Sequence, residues 1–240
     1  MALLRISLLA ISTACTYVSV TAPQPQVQAT SRPSNVGRYE RLFSATSRIR
    51  CQSMKLLITA VFIIELSVAV AKEYPDSPGT WLILGLLAQG TATAADGLRA
   101  SPLFLVGCAL TVVSTLIRFR CYKTLGRFFT YEVAIRPQHR LITDGPYAYV
   151  RHPSYTALLF CLVGLSMCHG SSGSWMRECR ILDTPGGLAL VALYAAYALP
   201  VTVAFLRRAP LEDTLLRKEF GEQWEQWAER VPYRLIPFVW

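Results

Sequence analysis

Apolar residues fall in long blocks along this chain, at 1–21, 54–71, 81–95, 102–117, 154–168 and 187–206, and polar or turn-forming stretches separate them. Blocks of this length approach the roughly 20 residues that carry a helix across about 30 Å of hydrocarbon. The pattern predicts an all-α fold: a multi-pass integral membrane helical bundle of about five to six spans. The first block reads as an uncleaved helix, with a signal or transit peptide as the other reading. Residues 22–53, rich in Pro, Gln, Ser and Arg, read as an irregular linker with no need to pack. Tyr74 to Gly79 (YPDSPG) breaks the second block from the third, and Asp96-Gly97 and Ser101-Pro102 separate the third from the fourth.

The tail has a different period. From Pro210, the residues Leu216, Phe220, Trp224, Trp227 and Val231 recur at helical spacing and line one face, with charges on the other. Pro210 suits a first helical turn, and Glu212 and Asp213 behind it suit the positive end of the helix dipole. Two tryptophans on the stripe fit a helix at the lipid headgroup level; packing onto the protein's own spans fits the same pattern.

Composition agrees with the blocks. Of 240 residues, 52% are hydrophobic and 16% charged, against about 25% charged in soluble domains, and the mean hydropathy is +0.34. The net charge of +9 is gathered between the blocks, which suits anionic lipid headgroups and offers no folded basic surface for nucleic acid. Arg118, Arg120, Lys123, Arg127, Arg136, Arg140 and Arg151 make 118–151 the most cationic stretch, so it is placed in the cytosol. Six spans counted back from there leave the Arg-bearing linker on the opposite side. Either the first block does not span, or one of the closely coupled third and fourth blocks is re-entrant, or the linker is an exception to the rule. Seven scattered cysteines without a CxxC pair argue against a disulfide framework, and three histidines without clustered spacing argue against a metal site. Glu65 is the one carboxylate in the second block; a functional acid and a contact with a neighbouring helix both fit it.

Candidate chemistry concentrates between His139 and Tyr155, HRLITDGPYAYVRHPSY, a polar, turn-rich stretch set between apolar flanks. Two motifs stand in order: His139 to Tyr147 running on to Arg151-His-Pro-Ser-Tyr155, then Arg208 to Glu212 with Phe220-Gly221 and the ending Arg230 to Pro237. Together they resemble the isoprenylcysteine carboxyl methyltransferase family, over roughly residues 118–240. The resemblance implies S-adenosyl-L-methionine as cofactor and the α-carboxylate of a C-terminal prenylated cysteine, or a lipophilic analogue, as methyl acceptor. The apolar blocks mark off an N-terminal segment (1–53) and transmembrane helices (54–117), and the resemblance makes 118–240 a catalytic region that includes a membrane hairpin (154–206). A loop and the C-terminal amphipathic helix would form a cytosolic cofactor pocket at the endoplasmic reticulum membrane. Carried over position by position, it implies cofactor contacts from His139, Arg140, Leu141, Ile142, Tyr147, His152, Pro153, Ser154, Tyr155 and Glu212, with Glu132 a further polar contact. Arg208 would bind substrate, and Arg208 and Glu212 together would carry catalysis.

Physical chemistry makes these positions intelligible. A helix beginning after His152-Pro153 aims free N–H groups at the preceding loop, an arrangement suited to a carboxylate, and Pro153 removes one N–H that would be unsatisfied there. The Gly145-Pro146 turn would fold 139–142 over that terminus, with Tyr147 covering a purine. His152 reads as a binding and orienting residue or as a helix cap. Two departures from the family pattern are mild: Ala157 stands where Gly is usual, and Asp213 where a second Glu is common.

Three other readings share features with this one. Another lipophilic acid or a lipid amine could be the acceptor. Membrane sterol reductases, which bind NADPH, share an RHP-x-Y element and a similar tail, but are longer, usually have Asn in place of Ser154 and lack a segment like 139–147. A scaffold with a decayed site is the third, against which stands the presence of every candidate residue.

Overall fold

The structure, a computed structural model, describes residues 2–25, 37–88, 96–131 and 138–239. The described residues are helices and connecting loops, with no strand among them. The helices are α1 (Ala2–Ser19), α2 (Arg38–Ala45), α3 (Ser47–Glu73), α4 (Thr80–Leu87), α5 (Pro102–Leu125), α6 (Pro153–Gly170), α7 (Trp175–Glu178), α8 (Pro185–Phe220) and α9 (Glu222–Arg230). Four segments, Ser47–Glu73, Pro102–Phe128, Pro153–Gly170 and Pro185–Phe220, are long and apolar enough to cross a membrane, with a shorter apolar helix over Leu3–Ser19. The multi-pass all-α architecture is the one the hydropathy predicts.

Local sequence sets the helix starts. Ser101 Oγ accepts from the Phe104 amide at 3.3 Å and Pro102 follows it, so α5 begins with a capped, proline-led turn. Thr184 Oγ1 does the same for α8 by accepting from the Gly187 amide at 3.0 Å. Helices α5 and α6 then lie backbone to backbone. A Cβ on Gly164 would stand 2.7 Å from the Gly107 carbonyl oxygen, so only glycine permits this approach.

Both ends of the bundle are fixed by polar contacts. At one end the Arg5 guanidinium of α1 bonds Glu65 of α3 at 2.5 Å and the carbonyl of Cys168 at 3.0 Å, and Lys72 meets Asp96 at 3.2 Å. At the other, Ser19 meets Thr115 at 2.9 Å, and Arg118 donates to the Ser19 carbonyl at 2.6 Å. So α1, α5 and α8 run one way and α3 and α6 the other.

This corrects the third span. Helix α4 has eight residues, about 12 Å at 1.5 Å per residue, and ends at Leu87, with a bend at Ala88; residues 89–95 lie outside the described residues. The Lys72–Asp96 pair shows that the chain between α3 and α5 returns to the end it left. The linker after α1 and the cationic stretch after α5 therefore share one end, and the topological conflict disappears. Glu65 is also settled: its partner is a charge, Arg5, and the pair is fully buried.

Two further expectations change. The linker holds α2, which packs Phe43 into the core formed by α3, α6 and α8. The sixth span and the tail helix are one helix of 36 residues running through Pro200 and Pro210, about 54 Å long. Its last third therefore extends past the hydrocarbon, and Pro210 is interior. Gly221, at φ 53°, ends it and starts α9. The tryptophan stripe crosses that corner and faces the protein: Trp227 is 2% exposed, in a cluster with Cys121, Tyr147 and Val231.

Candidate active site

A cleft of about 880 Å³ opens between the 139–155 segment and the far part of α8. Its wall includes His139, Arg140, Leu141, Ile142, Tyr147, His152, Ser154 and Tyr155 on one side and Glu212 on the other. Pro153 occupies the first turn of α6 beneath it, and Glu132 lies outside the described residues. His139 stacks on Phe128, with ring centroids 4.6 Å apart, while Arg140 is exposed at the rim.

The tail holds the segment in place along its backbone. The amides of Arg151 and His152 donate to the carbonyls of Tyr233 and Arg234 at 2.9 and 2.8 Å, and Thr156 Oγ1 donates to the Leu235 carbonyl at 2.6 Å. Trp227 Nε1 donates to the Tyr147 carbonyl at 3.2 Å, fixing the 3₁₀ turn Gly145–Ala148 from the same side.

Asp213, read from the sequence only as a charge suited to a helix start and a mild departure from the family pattern, is the hub. Its carboxylate takes His152 Nε2 at 3.0 Å, Arg234 Nε at 2.9 Å and Arg151 Nη2 at 3.4 Å, and it is 4% exposed. His152 makes no side-chain cap on α6; its ring spans the two acids instead, with Nδ1 3.4 Å from Glu212. Tyr155 stacks on that ring at 5.6 Å and donates its hydroxyl to Glu212.

Burial opposes a charge on His152, but the hydrogen bonds to Asp213 and Glu212 and their negative charges outweigh it and lift the imidazole from 6.5 to about 8. Burial likewise pushes the Tyr147 hydroxyl well up, so it stays protonated. A raised folded-state value means that the stabilisation is fully present below about pH 6.5 and lost as pH rises through about 8. The unfolding free energy is expected to fall by about 2 kcal/mol between pH 6 and 9. Thermal unfolding in detergent across that range should show the step in the parent and a flat profile in His152→Gln.

Arg208 lies one helical turn from Glu212 but faces a second cavity of about 480 Å³, bounded by α3, α6 and α8. Phe129, Thr130 and Tyr155 line both cavities and form the partition between them. The second cavity is apolar over Val20, Leu158, Val201 and Phe205 and carries Arg50, Arg118 and Arg208. Arg118 bonds Ser154 through its carbonyl and hydroxyl at 2.6 and 2.7 Å, and meets no carboxylate among the described residues. Arg208 is 4% exposed and holds Glu40 of α2 in a two-point ion pair.

Residues 105–173, which contain the 139–155 wall of the cleft, match the model of the isoprenylcysteine carboxyl methyltransferase (ICMT) family. Over that segment the chain is similar to this family. It is 31% identical over 136 residues to a probable protein-S-isoprenylcysteine O-methyltransferase of Oryza sativa subsp. indica, covering 56% of this chain and 61% of the relative. It is also 31% identical over 137 residues to protein-S-isoprenylcysteine O-methyltransferase B of Arabidopsis thaliana, with coverage of 55% and 58%. The chain thus spans about three fifths of the length of these family members. A weaker likeness, 27% over 101 residues, reaches a delta(14)-sterol reductase of Mus musculus and covers 20% of that protein. The α8 wall, with Arg208 and Glu212, lies beyond the segment that the family model matches.

Proposed function

We propose that this membrane protein transfers a methyl group from S-adenosyl-L-methionine to the α-carboxylate of a C-terminal prenylated cysteine, yielding a methyl ester. The observation that carries the reading is the pair of cavities meeting at Tyr155, one a polar-walled cleft and the other an apolar chamber with a buried arginine. The cleft fits the cofactor. Leu141, Ile142, Tyr147 and Trp227 offer apolar surface for a purine, and Glu212 offers acceptors. Arg151 Nε is buried on this wall without an acceptor among the described residues, which suits an anionic ligand group. When bound, S-adenosyl-L-methionine supplies an electrophilic methyl group.

The chain's own residues have a modest task. An α-carboxylate, with an ordinary pKa near 3.5, is already ionised at neutral pH, so attack needs alignment and exclusion of water and no general base. Arg208 would clamp that carboxylate at the end of the apolar chamber, leaving a lone pair free toward the partition. Tyr155 and His152 would hold Glu212 in place on the cofactor side. A prenyl chain partitions into lipid at about 0.8 kcal/mol per buried CH2, so the acceptor would arrive through the bilayer. The cationic segments gathered at the cleft's end of the bundle support a cytosolic cleft, in the endoplasmic reticulum membrane.

The match to a sterol reductase supports one rival, an NADPH-binding cleft. Titrating detergent-purified protein with S-adenosyl-L-homocysteine and with NADPH separates the two. Binding of the first, weakened at least tenfold in Glu212→Ala, is expected; tight binding of NADPH alone would overturn the methyltransferase reading.

A further inference from the structure

Glu40 stands where an acceptor carboxylate would have to bind. Arg208 Nε donates to one of its oxygens at 2.7 Å and Nη2 to the other, while Nη2 also reaches Ser44 Oγ at 2.9 Å and Nη1 the Tyr131 carbonyl at 2.7 Å. The fork-shaped edge of the guanidinium, the one that matches a carboxylate, is therefore fully engaged. Ser44 Oγ donates to Glu40 at 2.8 Å and closes the cluster. The other two arginines of the chamber are not equivalent. Arg118 is committed to Ser19 and Ser154, and Arg50 to the carbonyl of Phe43 and the Thr46 hydroxyl. Arg208 alone among the three grips a carboxylate, and it lies one turn from Glu212 on the same helix.

The element that brings Glu40 is lightly built. Helix α2 has eight residues, and its N-cap, Gly37, contributes no side-chain hydrogen bond; helices this short are not stable on their own. Its anchors are Phe43, whose ring centroid is 3.7 Å from the Arg50 guanidinium carbon and 4.8 Å from that of Arg208, and Tyr39, whose hydroxyl donates to the Pro200 carbonyl at 3.4 Å. Leu42 on its outer side is 66% exposed.

We propose that Glu40 is a built-in stand-in for the acceptor carboxylate: the substrate displaces it from Arg208, and it reclaims Arg208 when methylation has removed the substrate's charge. This rests on the methyltransferase reading above. In the transfer a carboxylate oxygen forms the new C–O bond, the S–CH3 bond breaks, and its electron pair stays on sulfur. The acceptor changes from an anion to a neutral ester. An ester cannot compete with Glu40 for a buried cation, so the device favours charged acceptors and drives out the product.

Amide hydrogen exchange of the full chain in detergent, with S-adenosyl-L-homocysteine present, tests this without any variant. Adding an N-acetyl-S-farnesylcysteine carboxylate should speed exchange across Arg38–Ala45, and the methyl ester of the same compound should not. Exchange there that is unchanged or slower with the carboxylate bound would overturn the proposal. Absence of carboxylate binding would overturn it together with the methyltransferase reading. A second arm uses Glu40→Gln. If Glu40 holds Arg208 about nine-tenths of the time, removing the competitor lowers the KM for the carboxylate roughly tenfold and strengthens inhibition by the ester. An unchanged or raised KM would instead make Glu40 a fixed support of Arg208. Failure of the parent protein to methylate the carboxylate sinks the methyltransferase reading, while the exchange result still decides whether Glu40 yields to it.

Discussion

Arg208→Ala is expected to lose methyl transfer altogether and also to cost about 3–5 kcal/mol of stability, because it strands the buried carboxylate of Glu40. The two losses have different origins and can be separated. Replacing both partners, as Arg208→Met with Glu40→Gln, removes the unpaired charge and is expected to return most of the stability, since a buried ion pair exchanged for neutral groups is often close to neutral. Transfer should stay absent, because nothing then clamps the acceptor. Thermal unfolding and methyl incorporation measured on the same three preparations check both parts. Transfer restored in the double variant would remove Arg208 from the site.

Ending the chain after Leu206 is expected to abolish cofactor binding although every residue from His139 to Tyr155 is intact. The cut removes Glu212, Leu215, Leu216 and Trp227 from the cleft wall. It also takes Asp213 from His152, and the Tyr233 and Arg234 carbonyls from the amides of Arg151 and His152. Two buried amides and an imidazole without partners cost on the order of 1–3 kcal/mol each, enough to release the segment. Ending the chain after Ile236 keeps all of these contacts and should leave binding within a few-fold of the parent. Calorimetric titration with S-adenosyl-L-homocysteine distinguishes the two truncations; binding retained in the shorter one would show that the 139–155 wall suffices alone.

The long helices were legible because hydrocarbon imposes a length and a composition, and both are written in the sequence. The cleft was legible in part for a similar reason: a polar stretch with Gly-Pro and His-Pro pairs between apolar blocks cannot continue a helix. What stayed hidden depended on pairing across long sequence distances. Arg5 finds Glu65 across 60 residues and Arg208 finds Glu40 across 168, and no periodicity records such pairs. Helix α2 has Leu42 and Phe43 as its large aliphatic and benzyl side chains, and Leu42 points outward, so its composition matches a linker. Pro210 read as a helix start because proline lacks an N–H, yet a helix already formed over six turns passes through it. The apolar stripe of the tail kept its spacing across Gly221 and concealed the corner there. Nothing in the local sequence separates Asp213 from Glu212; which of two adjacent acids becomes buried depends on how α8 is rotated against α6.

The most direct test of the central claim is single-turnover transfer in detergent, with S-adenosyl-L-methionine labelled in its methyl group and an N-acetyl-S-farnesylcysteine carboxylate as acceptor. Formation of the farnesylcysteine methyl ester, identified by mass and by release of labelled methanol in base, and absent with Glu212→Ala, is the predicted result. Absence of the ester from parent protein that demonstrably binds both ligands would contradict the account.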